Sequence, residues 1–281
     1  MSVHTTIISQ KQVIANFPKR PRDSHKGLFG TVTVVGGAKG MIGASLLAAR
    51  VALKLGAGCV HVGLLAENAP GVDLLQPELM LHSASDALRL PGVDVFAVGC
   101  GLGRDKAAQK LLYDALHSSA ALVLDADALN ILAQRADLHH LLLARNSATV
   151  LTPHPAEAAR LLGCGIDEVQ ADRVEAVREL AQKFNCSVVL KGASSLCATR
   201  NGKLFVNNTG NPGMSSPGMG DVLTGMIAAF IAQGMSADDA LLLAVHLHGA
   251  AGDALAAQGI SVGMTATDVT EWARWLLNQW T

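Results

Sequence analysis

The residues best suited to chemistry stand in one stretch, Gly210-Asn211-Pro212-Gly213-Met214-Ser215-Ser216-Pro217-Gly218-Met219-Gly220-Asp221, followed by the apolar run Val222–Ile231. Glycines let a backbone approach a ligand closely and turn its N–H groups inward. Gly218, Met219 and Gly220 fall at the start of a predicted helix, where unpaired N–H groups and the helix dipole favour an anion such as a phosphoryl group in transfer. Asp221 on the first turn is placed to accept the proton of a hydroxyl that attacks phosphorus. Helix capping alone would also explain an acid at that position. The twelve-residue glycine-rich approach to it favours catalysis.

Other polar residues fall at the ends of apolar runs. Gly36-Gly37-Ala38-Lys39-Gly40 with Gly43-Ala44 lacks the spacing of a dinucleotide fingerprint, and no Gly-Lys-Ser/Thr follows. Gly99-Cys100-Gly101-Leu102-Gly103 is either a plain tight turn or a close approach to a ligand. Asp125 and Asp127 flank Ala126; if the strand continues, alternation aims both to one side. Such a pair can hold Mg²⁺ through water, although Asp127 serves equally well as the cap of the next helix. His154 lies between Pro153 and Pro155, which stiffen the backbone, and Glu157 opens the following helix. A structural role for this histidine stays open. Lys191 ends the apolar run Val188-Val189-Leu190, where an ammonium needs an anion, and a nucleotide contact is expected. His246 and His248 face different ways on one apolar helix and read as packing residues.

These positions share a reason for meeting. Strand-like runs at 31–35, 59–65, 93–98, 121–124, 149–152 and 187–190 alternate with helical stretches at 41–55, 105–117, 156–162 and 171–184. Residues 1–29 read as a helix and an extended approach to the core. A hairpin at 196–207 and three helices near 221–233, 237–257 and 266–279 complete the chain. Alternating strands and helices predict an α/β fold with a mostly parallel sheet covered on both faces. Ligands of such sheets sit beyond the carboxyl ends of the strands, where every polar motif above falls.

Bulk properties narrow the class. With 50% apolar and only 16% charged residues, the 281-residue chain should fold compactly without disordered tracts, and its length allows one large α/β domain or two small ones. A net charge of −1 without basic runs argues against nucleic acid as a partner. No uninterrupted apolar run approaches the length of a membrane span, and no signal pattern opens the chain. Cys59, Cys100, Cys164, Cys186 and Cys197 are scattered and read as reduced thiols of a cytoplasmic protein.

Taken together, six ordered motifs resemble the NAD(P)H-hydrate dehydratase family over about residues 25–275. They are Gly36-Gly37-Ala38 with Gly43-Ala44, Gly101-Leu102-Gly103, Asp125 through Leu129, Thr152 through Glu157, Lys191-Gly192, and Gly210 through Met214 with Gly220 through Gly225. The resemblance implies a ribokinase-like fold and repair of hydrated NADH or NADPH. In that reaction ADP or ATP, with Mg²⁺, phosphorylates the ring hydroxyl, and phosphate then leaves. It implies that Ala44, Gly103, His154, Glu157 and Asp221 meet the hydrate, with Asp221 catalytic. Lys191, Gly192, Ala193, Ser194, Ser195, Asn211, Gly213, Met214, Gly218, Met219 and Gly220 would meet the adenine nucleotide. No residue is assigned directly to the metal; Asp125 and Asp127 are candidates through water. A homo-oligomer is implied, tetrameric in the family, and helices 237–257 and 266–279 are apolar enough to face a subunit. Ala156 departs from the glycine usual after the His-Pro pair. The family's frequent N-terminal epimerase domain is not expected in the roughly 25 residues before the core, so a dehydratase domain alone is expected. The alternatives are a small-molecule kinase resembling hydroxyethylthiazole kinase, and a nucleotide-binding regulator without catalysis.

Overall fold

Alternation along the strands divides the apolar side chains between two faces of one sheet. The computed structural model describes residues 5–281. Val32, Val34, Val60, Val62, Val95 and Ala97 point into one core, whereas Val35, Phe96, Val98, Leu122 and Leu124 point into the other. The strands are β1 (Thr5–Ile7), β2 (Thr31–Gly36), β3 (Cys59–Leu64), β4 (Met80–Ser83), β5 (Val95–Val98), β6 (Ala121–Leu124), β7 (Thr149–Leu151), β8 (Ser187–Leu190), β9 (Leu196–Ala198) and β10 (Leu204–Val206). The helices are α1 (Gln10–Ile14), α2 (Ile42–Lys54), α3 (Ala84–Ala87), α4 (Lys106–Leu116), α5 (Ala126–Gln134), α6 (Ala136–Leu143), α7 (Pro155–Leu162), α8 (Ile166–Ala171), α9 (Arg173–Phe184), α10 (Met219–Ala232), α11 (Ala237–Ala257) and α12 (Ala266–Trp280).

The sheet runs β1-β10-β9-β8-β7-β6-β5-β2-β3-β4. Only β9 is antiparallel to its neighbours. From β2 the chain winds outward through β3 to β4, then returns on the opposite side of β2 as β5. The turns leaving β2 and β5 therefore diverge, and this switch in winding opens a crevice at the carboxyl edge. Two hydrogen bonds hold the turns together there, Gly37 N to Cys100 O (3.2 Å) and Ala38 N to Gly101 O (2.7 Å).

The predicted architecture is present, with departures at the margins. β1 joins the sheet by parallel pairing with β10, and its three residues are too few to show a period. β4 carries Met-Leu-His-Ser, without a β-branched residue. It is an edge strand, positioned by pairing with β3. α11 has the length and composition to cross a membrane, but 67% of its most apolar window is buried inside the fold. Most of its apolar surface packs within the chain, and Trp275 of α12 remains 53% exposed.

α2 and α10 lie side by side over the sheet. Gly225 permits the approach, because a Cβ there would fall 2.1 Å from the Ala48 carbonyl oxygen and 2.5 Å from Val51 Cγ1. Helix propensity alone gives Gly225→Ala a gain of about 1 kcal/mol. Overpacking opposes it with a loss of about 1–3 kcal/mol. We expect the loss to win, giving a lower urea midpoint; a higher midpoint would show that the two helices can separate freely.

Candidate active site

The tip of α10 sits in the crevice. Gly218 precedes the helix with φ +88°, a left-handed turn suited to glycine. The first helical bond is Val222 N to Gly218 O, so the N–H groups of Met219, Gly220 and Asp221 lie ahead of the helical ladder. The position a Cβ would take on Gly220 is 3.2 Å from Lys191 Nζ and 3.6 Å from Asp125 Oδ2. Three segments thus converge: the ends of β6 and β8 and the start of α10.

Asp125 is the hub of this convergence. It is 1% exposed, and its Oδ1 accepts from Lys191 Nζ at 2.7 Å. Its Oδ2 accepts from Thr224 Oγ1 at 2.9 Å. Burial works to raise the Asp125 pKa, but the Lys191 ammonium and these hydrogen bonds prevail and hold it low. Lys191 is shifted up: burial pulls it down, and Asp125 and Glu157 outweigh that. Lys191 therefore stays charged, with Glu157 Oε2 4.0 Å away on its other flank.

Asp221 has the opposite electrostatics. Its carboxylate, that of Asp125 and the Cys100 thiol place one atom each within 4.8 Å of one another. Burial, then the charge of Asp125, raise Asp221 to about 6, against a hydrogen bond from Cys100 and the attraction of Lys191. One carboxylate is thus locked as an anion while its neighbour titrates near neutrality, which suits a general base.

The other residues expected at the site take the following positions. His154 caps α7: its Nδ1 accepts from Ala156 N (3.1 Å) and Glu157 N (3.3 Å). The neutral ring therefore carries its proton on Nε2. Burial, then Lys191, hold its pKa low and preserve that neutral form. Glu157 closes the capping box, with Oε2 accepting from His154 N at 2.8 Å. Ala44 lies against Gly101, and Gly103 N donates to Asp127 Oδ2 at 2.8 Å. The turn of Lys191 to Ser195 is held by Arg173, whose guanidinium donates to Ala193 O (2.6 Å) and Leu190 O (3.3 Å). Asn211, Gly213 and Met214 lie along another wall, against α11 and the loop 258–264. There Asp253 accepts from Gly210 N (2.8 Å) and Asn211 Nδ2 (3.0 Å), and Gly213 faces Ser261 O.

Two sequence expectations are corrected. Asp125 and Asp127 do not point to one side, because the strand stops at Leu124 and Ala126 takes a left-handed φ of +48°. Asp125 turns to Lys191, Asp127 to Gly103. Asp127 is not the helix cap, since Asp125 occupies that position. Cys100 is the reduced, buried thiol expected, and it stands beside Asp221. His246 does pack, on Trp280, while His248 lies buried by Lys191 and is held near pKa 4 by burial first and then by that charge. Thr224, Arg173 and Asp253 were not singled out by sequence reasoning. Thr224 alone left a signal, one helical turn after Gly220 and Asp221.

Because folding raises the Asp221 pKa from 3.8 to about 6, this group favours the folded state below pH 4, and that contribution is lost as pH rises through about 6. Asp221→Asn should therefore stabilise the protein at pH 7–8, on the order of 1–2 kcal/mol after discounting for partial exposure. The gain should shrink toward zero below about pH 4. Thermal melts across this range check it; a variant less stable at pH 8 would contradict a strained carboxylate.

The chain is matched over residues 32–274 by the family model described as NAD(P)H-hydrate dehydratase. It is 44% identical to the ADP-dependent (S)-NAD(P)H-hydrate dehydratase of Neisseria meningitidis, covering 94% of this chain and 90% of that one. It is 40% identical to the bifunctional NAD(P)H-hydrate repair enzyme Nnr of Coxiella burnetii, covering 98% of this chain and 56% of that protein. The chain thus spans about half the length of the bifunctional relatives it matches. A crystal structure of the ADP/ATP-dependent NAD(P)H-hydrate dehydratase from Bacillus subtilis, co-crystallized with ATP/Mg²⁺, superposes with a TM-score of 0.91 at 29% identity and full coverage of both chains. A hydroxyethylthiazole kinase from Pyrococcus horikoshii, at TM-score 0.62 and 16% identity, shares the fold alone. The ribokinase-like sheet, the helix tip and the ordered motifs agree with these matches: the chain belongs to the NAD(P)H-hydrate dehydratase family.

Proposed function

We propose that this protein dehydrates hydrated NADH or NADPH at the expense of a nucleoside di- or triphosphate, with Asp221 as the general base. The observation that carries the reading is the pairing of a carboxylate titrating at about 6 with the unpaired N–H groups of the α10 tip. The ring hydroxyl attacks the donor's terminal phosphorus, Asp221 takes the hydroxyl proton, and the shortened nucleotide leaves with its bonding electrons. The helix tip stabilises charge on the moving phosphoryl group. The ring nitrogen's lone pair then expels phosphate with cleavage of the carbon–oxygen bond, and loss of a proton from the adjacent carbon restores the reduced nicotinamide. His154 and Glu157 meet the hydrate as a pair, with His154 Nε2 3.2 Å from Glu157 Oε1, and Ala44 and Gly103 complete the acceptor side.

The donor lies toward the Lys191–Ser195 turn and the Asn211–Met214 wall. ADP is favoured by the Neisseria relative's name and ADP or ATP by that of the Bacillus enzyme. Asp125 turns to Lys191 and Thr224 and Asp127 turns to Gly103, so the two carboxylates would not share one ion; a Mg²⁺ accompanying the donor would be held through water by either one alone. Such an ion would neutralise phosphate charge during transfer. We further read the protein as a single dehydratase domain of the cytoplasm and as a homo-oligomer. Exposed Leu74 (87%) and Leu75 (77%), shortly before edge strand β4, support a subunit contact.

Incubation with hydrated NADH, Mg²⁺ and ADP or ATP should restore the near-ultraviolet absorbance of reduced nicotinamide and release inorganic phosphate. A stable phosphoester product would favour the kinase reading. Asp221→Asn should lower turnover by about a hundredfold or more with nucleotide affinity kept within a few-fold. Wild-type kcat should fall as pH drops through about 6, as the base becomes protonated. Turnover by the variant at the wild-type rate would remove Asp221 from the mechanism.

A further inference from the structure

The turn of Lys191 to Ser195, between β8 and β9, is held by a cation that the transfer chemistry does not use. Arg173 is the first residue of α9, where the helix dipole disfavours positive charge. Burial pulls its pKa down, and no neighbouring charge offsets that loss. The acids beside it are engaged elsewhere: Asp172 Oδ1 accepts from Glu175 N (2.9 Å), and Glu175 Oε2 accepts from Arg178 Nε (2.9 Å). Arg173 Nε is buried without a partner. A partly desolvated guanidinium without a carboxylate is a costly way to fasten a helix to a turn.

What the guanidinium touches is the main chain of the turn. Its Nη1 donates to Ala193 O (2.6 Å), and its Nη2 donates to Leu190 O (3.3 Å) and Lys191 O (3.4 Å). Ser195 Oγ takes the Gly192 carbonyl at 2.9 Å. Every carbonyl from Leu190 to Ala193 is thereby engaged. In a trans peptide the N–H points opposite to the C=O, so the N–H groups of Gly192 and Ser194 face away from Arg173. Neither has an acceptor among the described residues. α9 packs against one face of the sheet, whereas α10 and α11 cover the other. The two N–H groups are thus turned toward the side on which the α10 tip and the Asn211–Met214 wall stand. Ser194 holds a left-handed φ of +53°, and such a residue among free N–H groups shapes an anion-binding concavity. A Cβ on Gly192 would lie 2.9 Å from Arg173 Nη2, so glycine there lets the guanidinium reach the carbonyls.

We propose that Arg173 is a positioning residue for the phosphoryl donor, an inference that rests on the donor's placement against this turn. From the far face of the sheet it draws the carbonyls of Lys191 and Ala193 to itself and so aims the N–H groups of Gly192 and Ser194 at the donor's phosphates. Arg173 itself touches neither the nucleotide nor the reacting atoms. Its planar fork holds several carbonyls at once, which the single flexible point charge of a lysine cannot do in the same way. Standing behind the turn, its charge also adds to the positive potential that an anion meets there.

Arg173→Met, Arg173→Lys and Gly192→Ala separate aiming of the turn from mere anchoring of the helix. With hydrated NADH, Mg²⁺ and ADP, each variant should raise KM for the nucleotide, by about tenfold or more for Arg173→Met, while KM for the hydrate stays within about twofold and kcat within a few-fold. That split is the pattern of lost binding common to ground and transition states. Arg173→Lys should fall between Arg173→Met and wild type. A purely structural role would lower the melting temperature and leave both KM values unchanged, or raise them together; either result overturns the proposal. If Arg173→Met fails to fold, the lysine and alanine variants carry the same comparison. Calorimetric titration with ADP and Mg²⁺, without hydrate, keeps the proposal apart from the dehydratase reading. If wild type binds ADP but turns over no hydrate, that reading fails, and weaker ADP binding by the variants still supports the positioning role. Equal ADP binding by wild type and variants overturns the role and leaves the reading intact. A wild type that binds neither ADP nor ATP overturns both.

Discussion

The buried carboxylate of Asp125 is the interaction on which the site depends. It joins Lys191 at the end of β8 to Thr224 on the first turns of α10, across sequence separations that no local structure could bridge. Removing a charge from water is costly unless another charge and well-formed hydrogen bonds compensate. Here both oxygens are used, so the helix tip is anchored to the sheet through a bond expensive to break. Burial first, and then repulsion from this same anion, keep Asp221 from ionising at the usual carboxylate pH. Asp125 therefore fixes where the base stands and adds to the basicity that burial gives it.

The rest of the fold serves this placement. Reversal of winding between β2 and β5 opens the crevice, and the close approach at Gly225 presses α10 onto α2 so that its tip enters it. Turns held by Arg173 and Asp253 flank the tip on one side, and the joined turns after β2 and β5 flank it on the other.

Much of this was legible in the residues. β2, β5, β6, β7 and β8 carry apolar runs that lead into glycine, aspartate, histidine or lysine, so the edge bearing the site could be read before the fold was seen. Gly218 to Asp221 announced a helix start by their own conformational needs. What stayed hidden depends on contacts remote in sequence. Nothing near Asp125 indicates that Lys191 and Thr224 will share its oxygens, and the left-handed turn at Ala126 undoes the alternation that would have aimed Asp125 and Asp127 together. Cys100 sits in a glycine turn whose sequence does not say what its thiol faces; the fold brings it to Asp221. β4 and β1 are short and held by pairing, so no periodicity could mark them.

The central claim is that phosphorus is transferred to the ring oxygen at the α10 tip before that oxygen departs. It is tested most directly by hydrated NADH carrying ¹⁸O in its ring hydroxyl, turned over with unlabelled nucleotide in ordinary water. The account expects the label in the inorganic phosphate released. Label recovered in solvent water, with unlabelled phosphate, would mean that the hydroxyl leaves without ever being phosphorylated, and would contradict it.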